Sequence, residues 1–215
     1  MKILTSSILL TATLIINGCG GGSNPVSSIN NQPLVQNQTP TLAPAPAPVS
    51  GFTIPPLDEA VKHDYLDAIN VARGNTQHCG SRGDFSAATP VKWNDALYKA
   101  AYAHSYDLAY SNTFSHTGSN TQYDITAREL SLSQGSSADQ RIEHNGYTDW
   151  KTWGENIAAG SRRKTAQIVI DAWLDSDGHC ANMMNPEFKE VGLALVTKEG
   201  STYENYWTQN FGTRY

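Results

Sequence analysis

The aromatic residues of this chain are confined to its last three quarters. None lies in the first 50 residues, whereas all five tryptophans lie between Trp93 and Trp207. A segment without aromatic side chains and almost without charge cannot build a hydrophobic core. The folded domain is therefore predicted to begin at Gly51. Its roughly 160 residues can bury about 70% of the surface that the unfolded chain exposes, which is enough for a single core.

The N-terminus has the pattern of a signal peptide over residues 1–18. Lys2 is followed by an apolar run from Ile3 to Ile16, which is short for a membrane-spanning helix. The run ends in Ile16-Asn17-Gly18-Cys19, which resembles the lipobox of bacterial lipoproteins. This resemblance implies export and acylation of Cys19. The alternative is cleavage nearby, which leaves Cys19 as an ordinary thiol.

Residues 19–50 are predicted to hold the domain away from a membrane. After Cys19 they are rich in Gly, Ser, Asn, Gln and Pro, and their final Ala-Pro alternation is typical of an extended spacer. Gly20 lacks the aspartate associated with inner-membrane retention, which favours an outer membrane or cell-surface location. The domain is then attached to the membrane through its lipid alone.

The charge of the mature chain excludes a nucleic-acid partner. Loss of Lys2 with the signal peptide leaves 14 of the 15 Lys and Arg residues against 20 Asp and Glu residues, a net charge of −6. A nucleic-acid binder needs a basic face. The sequence gives no indication of an oligomeric state.

Three cysteines are an awkward number for an exported protein. If Cys19 carries lipid, Cys79 and Cys180 remain to pair. Their bridge would close a loop of about 100 residues, for which the chain-entropy model gives roughly 4–5 kcal/mol. The alternative is that both are free, buried thiols.

Hydrophobic periodicity and turn residues predict an α+β class, with helices packed over a small sheet. Polar residues between Gly118 and Ser137 predict a surface excursion. Ile168 is expected to face inward from its helix. The predicted helices are Leu57–Arg73, Asn94–Tyr110, a short turn at Asp139–Glu143, and a helix from the capping residue Thr165 to Leu174. The predicted strands are Trp153–Ala159 and an antiparallel hairpin of Val191–Val196 and Tyr203–Phe211.

Two histidines and one glutamate are the candidates for chemistry. His116 and His179 follow the ends of predicted helices, and Glu155 lies in an otherwise apolar strand, where a carboxylate is costly unless it is paired. Two imidazoles and a carboxylate suit a divalent metal such as zinc, with a coordination position left open for water. They suit a hydrogen-bonded cluster without metal equally well.

Four segments in order carry a resemblance to a known family. They are AAYAHSYDLAYSNTFSHTGS, WGENIAAG, VIDAWLDSDGHCANMMNPEFKEVGLAL and YWTQNFGT. Together they resemble the motif blocks of CAP domains, the group of cysteine-rich secretory proteins, antigen 5 and pathogenesis-related 1. The resemblance covers residues 57–215. It implies a three-layer α-β-α sandwich with a small antiparallel sheet.

In the family, two histidines and two acidic residues line a cleft, which holds zinc or another divalent cation in some members. The motifs place His116, Glu155 and His179 at three of these four positions. The fourth is a glutamate three residues after a helical tryptophan, and it is absent here. Asp175 and Asp177 are the candidate substitutes. The resemblance also implies a Cys79–Cys180 disulfide.

Other polar residues are given structural roles. His104 is expected to be a hydrogen-bonded core histidine, Asp107 is expected to need no special role, and Met183-Met184 are expected to pack in the core. Ser176 lies three residues from His179 without an evident orienting partner, which argues against a serine hydrolase.

Three functions remain open. The first is a non-catalytic binding module whose cleft takes a lipid, a sterol or another envelope ligand. The second is a metal-dependent hydrolase, in which His116 and His179 hold the ion and Glu155 acts as ligand or general base. The third is an envelope-structural or adhesion protein whose polar cluster only stabilises the fold. The missing second glutamate favours binding over hydrolysis.

Overall fold

The computed structural model describes residues 51–215. The predicted signal peptide, the acylation of Cys19 and the spacer up to residue 50 therefore lie outside the described residues. The helices are α1 (Glu59–Arg73), α2 (Asp95–Ser111), α3 (Ile125–Glu129), α4 (Ala138–His144), α5 (Ala166–Leu174) and α6 (Asp177–Met183), with a 3-10 turn at Gly80–Arg82. The strands are β1 (Gln77–His78), β2 (Asp84–Phe85), β3 (Lys92–Trp93), β4 (Trp150–Ala159), β5 (Glu190–Thr197) and β6 (Asn205–Arg214).

The main sheet has the strand order β3-β5-β6-β4. Strands β5 and β6 form the predicted antiparallel hairpin, and β4 pairs antiparallel to β6. The short strand β3 is parallel to β5, so the sheet is mixed at that edge. At the opposite edge, β4 has a neighbour on one side only.

The alternation of side chains along β6 separates two helical layers. Trp207 and Phe211 belong to a core shared with α1, α5 and α6. Tyr206 packs against α2, and the Thr208 hydroxyl bonds that of Ser105 on α2. The chain is therefore an α-β-α sandwich, which confirms the fold class predicted from sequence.

Two of the predicted helix starts depend on capping side chains. The Asn94 carboxamide oxygen accepts hydrogen bonds from the backbone N–H groups of Ala96 and Leu97, at 2.9 and 3.2 Å. Thr165 accepts one from Ile168 in the same way. Such caps satisfy N–H groups that have no partner inside the helix.

The prediction that Ile168 faces inward is wrong. Its side chain is 45% exposed, whereas Val169, Ile170 and Trp173 are buried. At 100° per residue, positions 169, 170 and 173 share one face of α5 and position 168 falls outside it.

The segment from Gly118 to Ser137 is not the surface excursion that its polarity predicts. It contains α3, and Asp124 and Ser136 within it are buried. The Asp124 carboxylate accepts hydrogen bonds from the backbone N–H groups of Asn120 and Ser136, at 3.3 and 2.9 Å, so one side chain holds the two ends of the segment together. Composition cannot distinguish a polar residue that organises backbone from one that faces water.

The disulfide between Cys79 and Cys180 is confirmed, with the two Cα atoms 5.4 Å apart and both residues fully buried. It ties the loop after α1 to α6. Met183 and Met184 are buried as predicted. In residues 51–215, no helix is both long and apolar enough to cross a membrane.

Candidate functional site

A cleft of about 480 Å³ lies beside the edge strand β4 and between the two helical layers. One part of its lining is polar and comes from both layers: Ser115, His116, Arg163, Ser176 and His179. The rest is apolar: Phe114, Ile157, Ala158, Ala159, Ala172 and Trp173. The fold therefore brings His116 and His179 to a common cleft, although 63 residues of sequence separate them.

Side chains satisfy the exposed backbone of β4 along this cleft. The Trp173 indole donates to the carbonyl oxygen of Ile157 at 3.1 Å, and the Arg163 guanidinium donates to that of Ala159. An unpaired strand edge invites pairing with another strand, and these two donors reduce that tendency.

Glu155 points from β4 toward the α2 layer, and its side chain is only 2% exposed. Its Oε1 accepts from His116 Nδ1 at 2.9 Å and from Arg141 Nη2 at 3.1 Å. Its Oε2 accepts from Arg141 Nη2 at 2.8 Å. With the Asn210 carboxamide in the orientation that gives both its oxygen and its nitrogen a partner, Oε2 also accepts from the Asn210 amide at 3.2 Å. Glu155 was expected to need a partner, and it has the Arg141 cation and two further hydrogen-bond donors, His116 and Asn210.

Arg141 is the residue of this site that sequence reasoning missed. It lies on α4, is 1% exposed, and donates to the carbonyl oxygens of Ser136 and His116, at 2.6 and 2.9 Å, as well as to Glu155. One guanidinium therefore holds both the carboxylate and the backbone of the histidine. The cost of burying Glu155 indicated that a cation lies nearby, but it did not identify which lysine or arginine that cation is.

The Glu155–Arg141 contact determines the ionisation of Glu155. Burial acts to raise the pKa of this carboxyl, but the Arg141 guanidinium and the hydrogen bonds outweigh it and lower the pKa to about 2. Glu155 is therefore a carboxylate at neutral pH and only accepts hydrogen bonds. Its low pKa makes it a weak general base.

His116 receives its orientation from that carboxylate. Its side chain is 56% exposed, and its Nδ1 faces Glu155. Because a carboxylate only accepts, Nδ1 must carry the proton, and Nε2 is left with a free lone pair in the neutral ring.

His104 also lies at this site, as a neutral core residue. Its Nε2 is 3.0 Å from the Ser115 carbonyl oxygen and 3.9 Å from Glu155 Oε1. Burial and the Arg141 charge lower its pKa to about 3, so its contact with Glu155 is not an ion pair at neutral pH. The prediction of a hydrogen-bonded core histidine is confirmed.

His179 is positioned by a helix that sequence reasoning missed. It lies in the first turn of α6, not in a loop, and next to the disulfide residue Cys180. Its Nδ1 is 2.8 Å from the Ser176 hydroxyl, and its carbonyl accepts from the Asn156 amide at 3.2 Å. Burial and the proximity of His116 lower the pKa of His179. Ser176 is the residue directly before α6, and its hydroxyl contacts His179 in the first turn of that helix.

The two candidate substitute acids lie outside the cleft lining. Asp175 is exposed at the end of α5. The Asp177 carboxylate accepts from the backbone and the hydroxyl of Ser81, at 2.8 and 2.5 Å, beside the disulfide. These hydrogen bonds lower the Asp177 pKa. Asp177 therefore fastens the disulfide loop to α6 on the side away from the histidines.

These residues fit a catalytic metal ion poorly. Glu155 contacts His116 through Nδ1 and is saturated by Arg141 and Asn210, so it orients the ring and has no lone pair to give to an ion. The cleft then offers two imidazole Nε2 atoms, whereas catalytic zinc sites use three protein ligands. Within residues 51–215, no group of three His, Cys, Asp or Glu side chains is arranged to hold a metal ion.

Asp107 has a role that its sequence position did not indicate. It is 2% exposed, and its carboxylate accepts from the backbone and the hydroxyl of Ser119. Burial raises its pKa to about 6. It closes the loop that carries His116.

The comparisons with known proteins show the family and the fold. The family model of the cysteine-rich secretory protein family (CAP) matches residues 66–211. The uncharacterized protein YkwD of Bacillus subtilis is 34% identical over 122 residues, which is 57% of this chain and 39% of that protein. The chain thus spans well under half of that relative.

Two solved structures share the fold. An extracellular protein containing an SCP domain from Bacillus anthracis matches with a TM-score of 0.51 and 22% identity, over 75% of this chain and 45% of that one. An outer surface protein from Borrelia burgdorferi matches with a TM-score of 0.51 and 20% identity, over 74% of this chain and 97% of that one.

Proposed function

This chain belongs to the CAP family, and on that premise we propose that it is an exported, lipid-anchored protein whose cleft binds an amphiphilic ligand of the cell envelope. The ligand class is a lipid or a sterol. Binding, not catalysis, is the proposed activity.

The observation that carries the proposal is that the cleft lining combines polar and apolar side chains. Trp173, Ile157 and Ala172 belong to the apolar part of the lining. The His116 and His179 rings add hydrogen-bonding groups to the same lining. Ligand pockets commonly combine a mostly apolar lining with a few polar groups that fix orientation, and an amphiphile matches both parts.

The hydrolase alternative lacks an activated group. A carboxylate whose pKa is about 2 and whose oxygens are occupied is a poor base for water. The Ser176 hydroxyl contacts His179, but in residues 51–215 no carboxylate bonds that ring to complete a triad.

Export is supported by the N-terminal sequence and by the two structural neighbours, which are described as an extracellular and an outer surface protein. Anchoring is supported by the sequence before Cys19 alone. The test is detergent phase partitioning of the chain expressed with its own signal. The wild type should enter the detergent phase, and Cys19→Ser should remain in the aqueous phase. Aqueous partitioning of both would refute the anchor.

Ligand binding is tested with the exported Cys19→Ser chain, which keeps the spacer but cannot be acylated. The probes are a fluorescent fatty acid and a fluorescent sterol, each added below its aggregation threshold. Ala172→Phe places a ring in the cleft and should weaken binding by at least tenfold. Val71→Phe is the matched control, because Val71 is 64% exposed on α1 and is not part of the cleft lining.

Equal binding by Ala172→Phe and Val71→Phe would refute the cleft as the ligand site. Failure of the unsubstituted chain to bind either probe would refute the proposed ligand class. Thermal unfolding of both variants establishes that each is folded at the assay temperature.

A further inference from the structure

We propose that the mouth of the cleft is a docking surface for an anionic lipid bilayer. The surface, here called the rim, consists of Phe114, Tyr203, Arg162, Arg163 and Ile168. The inference rests on the proposed membrane anchoring and adds how the anchored domain meets the bilayer.

The rim exposes large apolar side chains next to each other. Phe114 is 46% exposed and Tyr203 is 40% exposed, and their rings pack edge to face with centroids 5.9 Å apart. Ile168, 45% exposed, lines a second concavity together with Arg162 and Arg163. Aromatic residues of this kind are enriched where proteins meet the headgroup region of a membrane.

The rim is continuous across the cleft mouth. Phe114 and Arg163 line the same cleft. The Asn205 amide, two residues after Tyr203, donates to the carbonyl oxygen of Ser161 at 3.1 Å. That bond fastens the turn that carries Arg162 and Arg163 beside the strand that follows Tyr203.

The rim is also the basic part of an acidic domain. Residues 156–170 contain Arg162, Arg163 and Lys164 and no acidic residue, although residues 51–215 carry 14 Lys and Arg against 20 Asp and Glu. None of the salt bridges within residues 51–215 involves these three cations. Glu204 is the single acid among residues 200–215. The two rim arginines, Arg162 and Arg163, therefore complement an anionic surface, whereas the charge of the whole domain does not.

The start of the domain lies on the same side. Phe52 packs against Tyr106 of α2, with ring centroids 4.8 Å apart. Tyr106 stacks on Tyr110, and the end of α2 leads directly to Phe114. An anchor that enters at residue 51 thus joins the domain at the end of α2 that carries the rim. In this orientation the cleft opens toward the bilayer, where its proposed ligand resides.

The test measures vesicle binding of the full exported chain carrying Cys19→Ser, so that the acyl chain does not contribute. Vesicles of phosphatidylcholine with about 30% phosphatidylglycerol are compared with pure phosphatidylcholine by co-sedimentation. The unsubstituted chain should prefer the anionic vesicles, and the preference should weaken with added salt. Equal binding to both vesicles, or binding to neither, would overturn the proposal.

Two variants separate the rim from non-specific charge. Arg162→Gln with Arg163→Gln removes both rim arginines and should weaken binding about fivefold for each cation removed. Lys92→Gln with Lys151→Gln makes the same charge change at exposed positions away from the cleft, and it should leave binding within about twofold. An equal loss in both double variants would overturn the rim as the docking surface.

A further double variant, Phe114→Ser with Tyr203→Ser, should weaken anionic vesicle binding at least fivefold, and unchanged binding would overturn the aromatic contribution. Soluble-probe binding is measured in parallel. If the unsubstituted chain binds the soluble probes but not the anionic vesicles, the rim proposal alone is overturned. If it does not bind the probes, the proposed function is overturned.

Discussion

Each side of the cleft presents a histidine, but different interactions hold the two histidines in place. On the glutamate side, formed by His116, Glu155 and Arg141, a buried carboxylate and a buried guanidinium orient the histidine. On the disulfide side, formed by Ser176, His179 and Cys180, a covalent bond and a short helix do so.

The difference shows which changes each side can tolerate. An ion pair inside a protein is costly to break, because one charge then remains buried without a partner. A disulfide stabilises through the connectivity of the chain and leaves no charge behind when it is removed. The glutamate side should therefore respond to charge and pH, and the disulfide side should respond to chain connectivity.

The largest expected effect is on the disulfide side. Replacement of both Cys79 and Cys180 by serine should lower the free energy of unfolding by roughly 4 kcal/mol, because the bridge closes a loop of about 100 residues. Chemical denaturation measures this loss. Probe binding in the cleft should fall as α6 loosens, whereas the NMR signals of His116 should stay unchanged. Altered His116 signals with intact probe binding would contradict the separation of the two sides.

Arg141→Leu should have the next largest effect, a loss of about 3–4 kcal/mol, because it leaves Glu155 buried and unpaired. Arg162→Leu removes an exposed arginine and should change stability by less than about 0.5 kcal/mol. Denaturant midpoints of the two variants measure the difference. Similar small losses in both would mean that the ion pair does not hold this side together.

A pH effect comes from His104. Its pKa is about 3 in the folded chain, against about 6.5 in the unfolded chain. Below pH 6.5 the unfolded chain therefore binds more protons, and the free energy of unfolding decreases as the pH decreases. At pH 5 the loss is about 2 kcal/mol. In His104→Gln this contribution disappears, so the stability difference between the two chains should change by about that amount from pH 7.5 to pH 5.

Other titrating groups cancel in that comparison. Because the pKa of Asp107 is raised, stability increases as the pH decreases below 6. Because the pKa of Glu155 is lowered, stability decreases as the pH decreases below about 4.5. Both groups are present in both chains. A pH-independent difference between wild type and His104→Gln would show that His104 is not held neutral by burial.

The smallest expected effect is that of Ser176→Ala, a loss of about 1 kcal/mol from one hydrogen bond to His179. Ser161→Ala, at an exposed position, is the control and should be close to neutral. Thermal unfolding measures stability, and the NMR signals of the His179 ring should shift in Ser176→Ala only. An unshifted His179 ring would remove Ser176 from its positioning.

The sequence predicted the elements whose determinants are local. Asn94 and Thr165 mark helix starts by side-chain caps that act within three residues, and the turn residues 198–201 between two strand-like runs indicate the β5–β6 hairpin. What it could not predict depends on contacts distant in sequence. Arg141 meets Glu155 across 14 residues and His116 across 25, and no local pattern selects it over the other arginines.

The site residues show the same limit. Motif resemblance directed attention to His116, Glu155 and His179, and the structure places the two histidines in one cleft with Glu155 behind one of them. The motif resemblance did not indicate that Glu155 would face His116 Nδ1 or that Asp177 would bond Ser81. Those contacts follow from packing α4 and the disulfide loop against the sheet.

The central claim is that Glu155 is an ionised, orienting carboxylate and that the neutral His116 ring therefore carries its proton on Nδ1 and not on Nε2. The most direct measurement is ¹⁵N NMR of the histidine rings in the full exported Cys19→Ser chain above neutral pH, with His116→Gln used to assign the signals. The account predicts that neutral His116 carries its proton on Nδ1. A proton on Nε2 in the neutral ring would contradict it, because Glu155 would then have to be the donor.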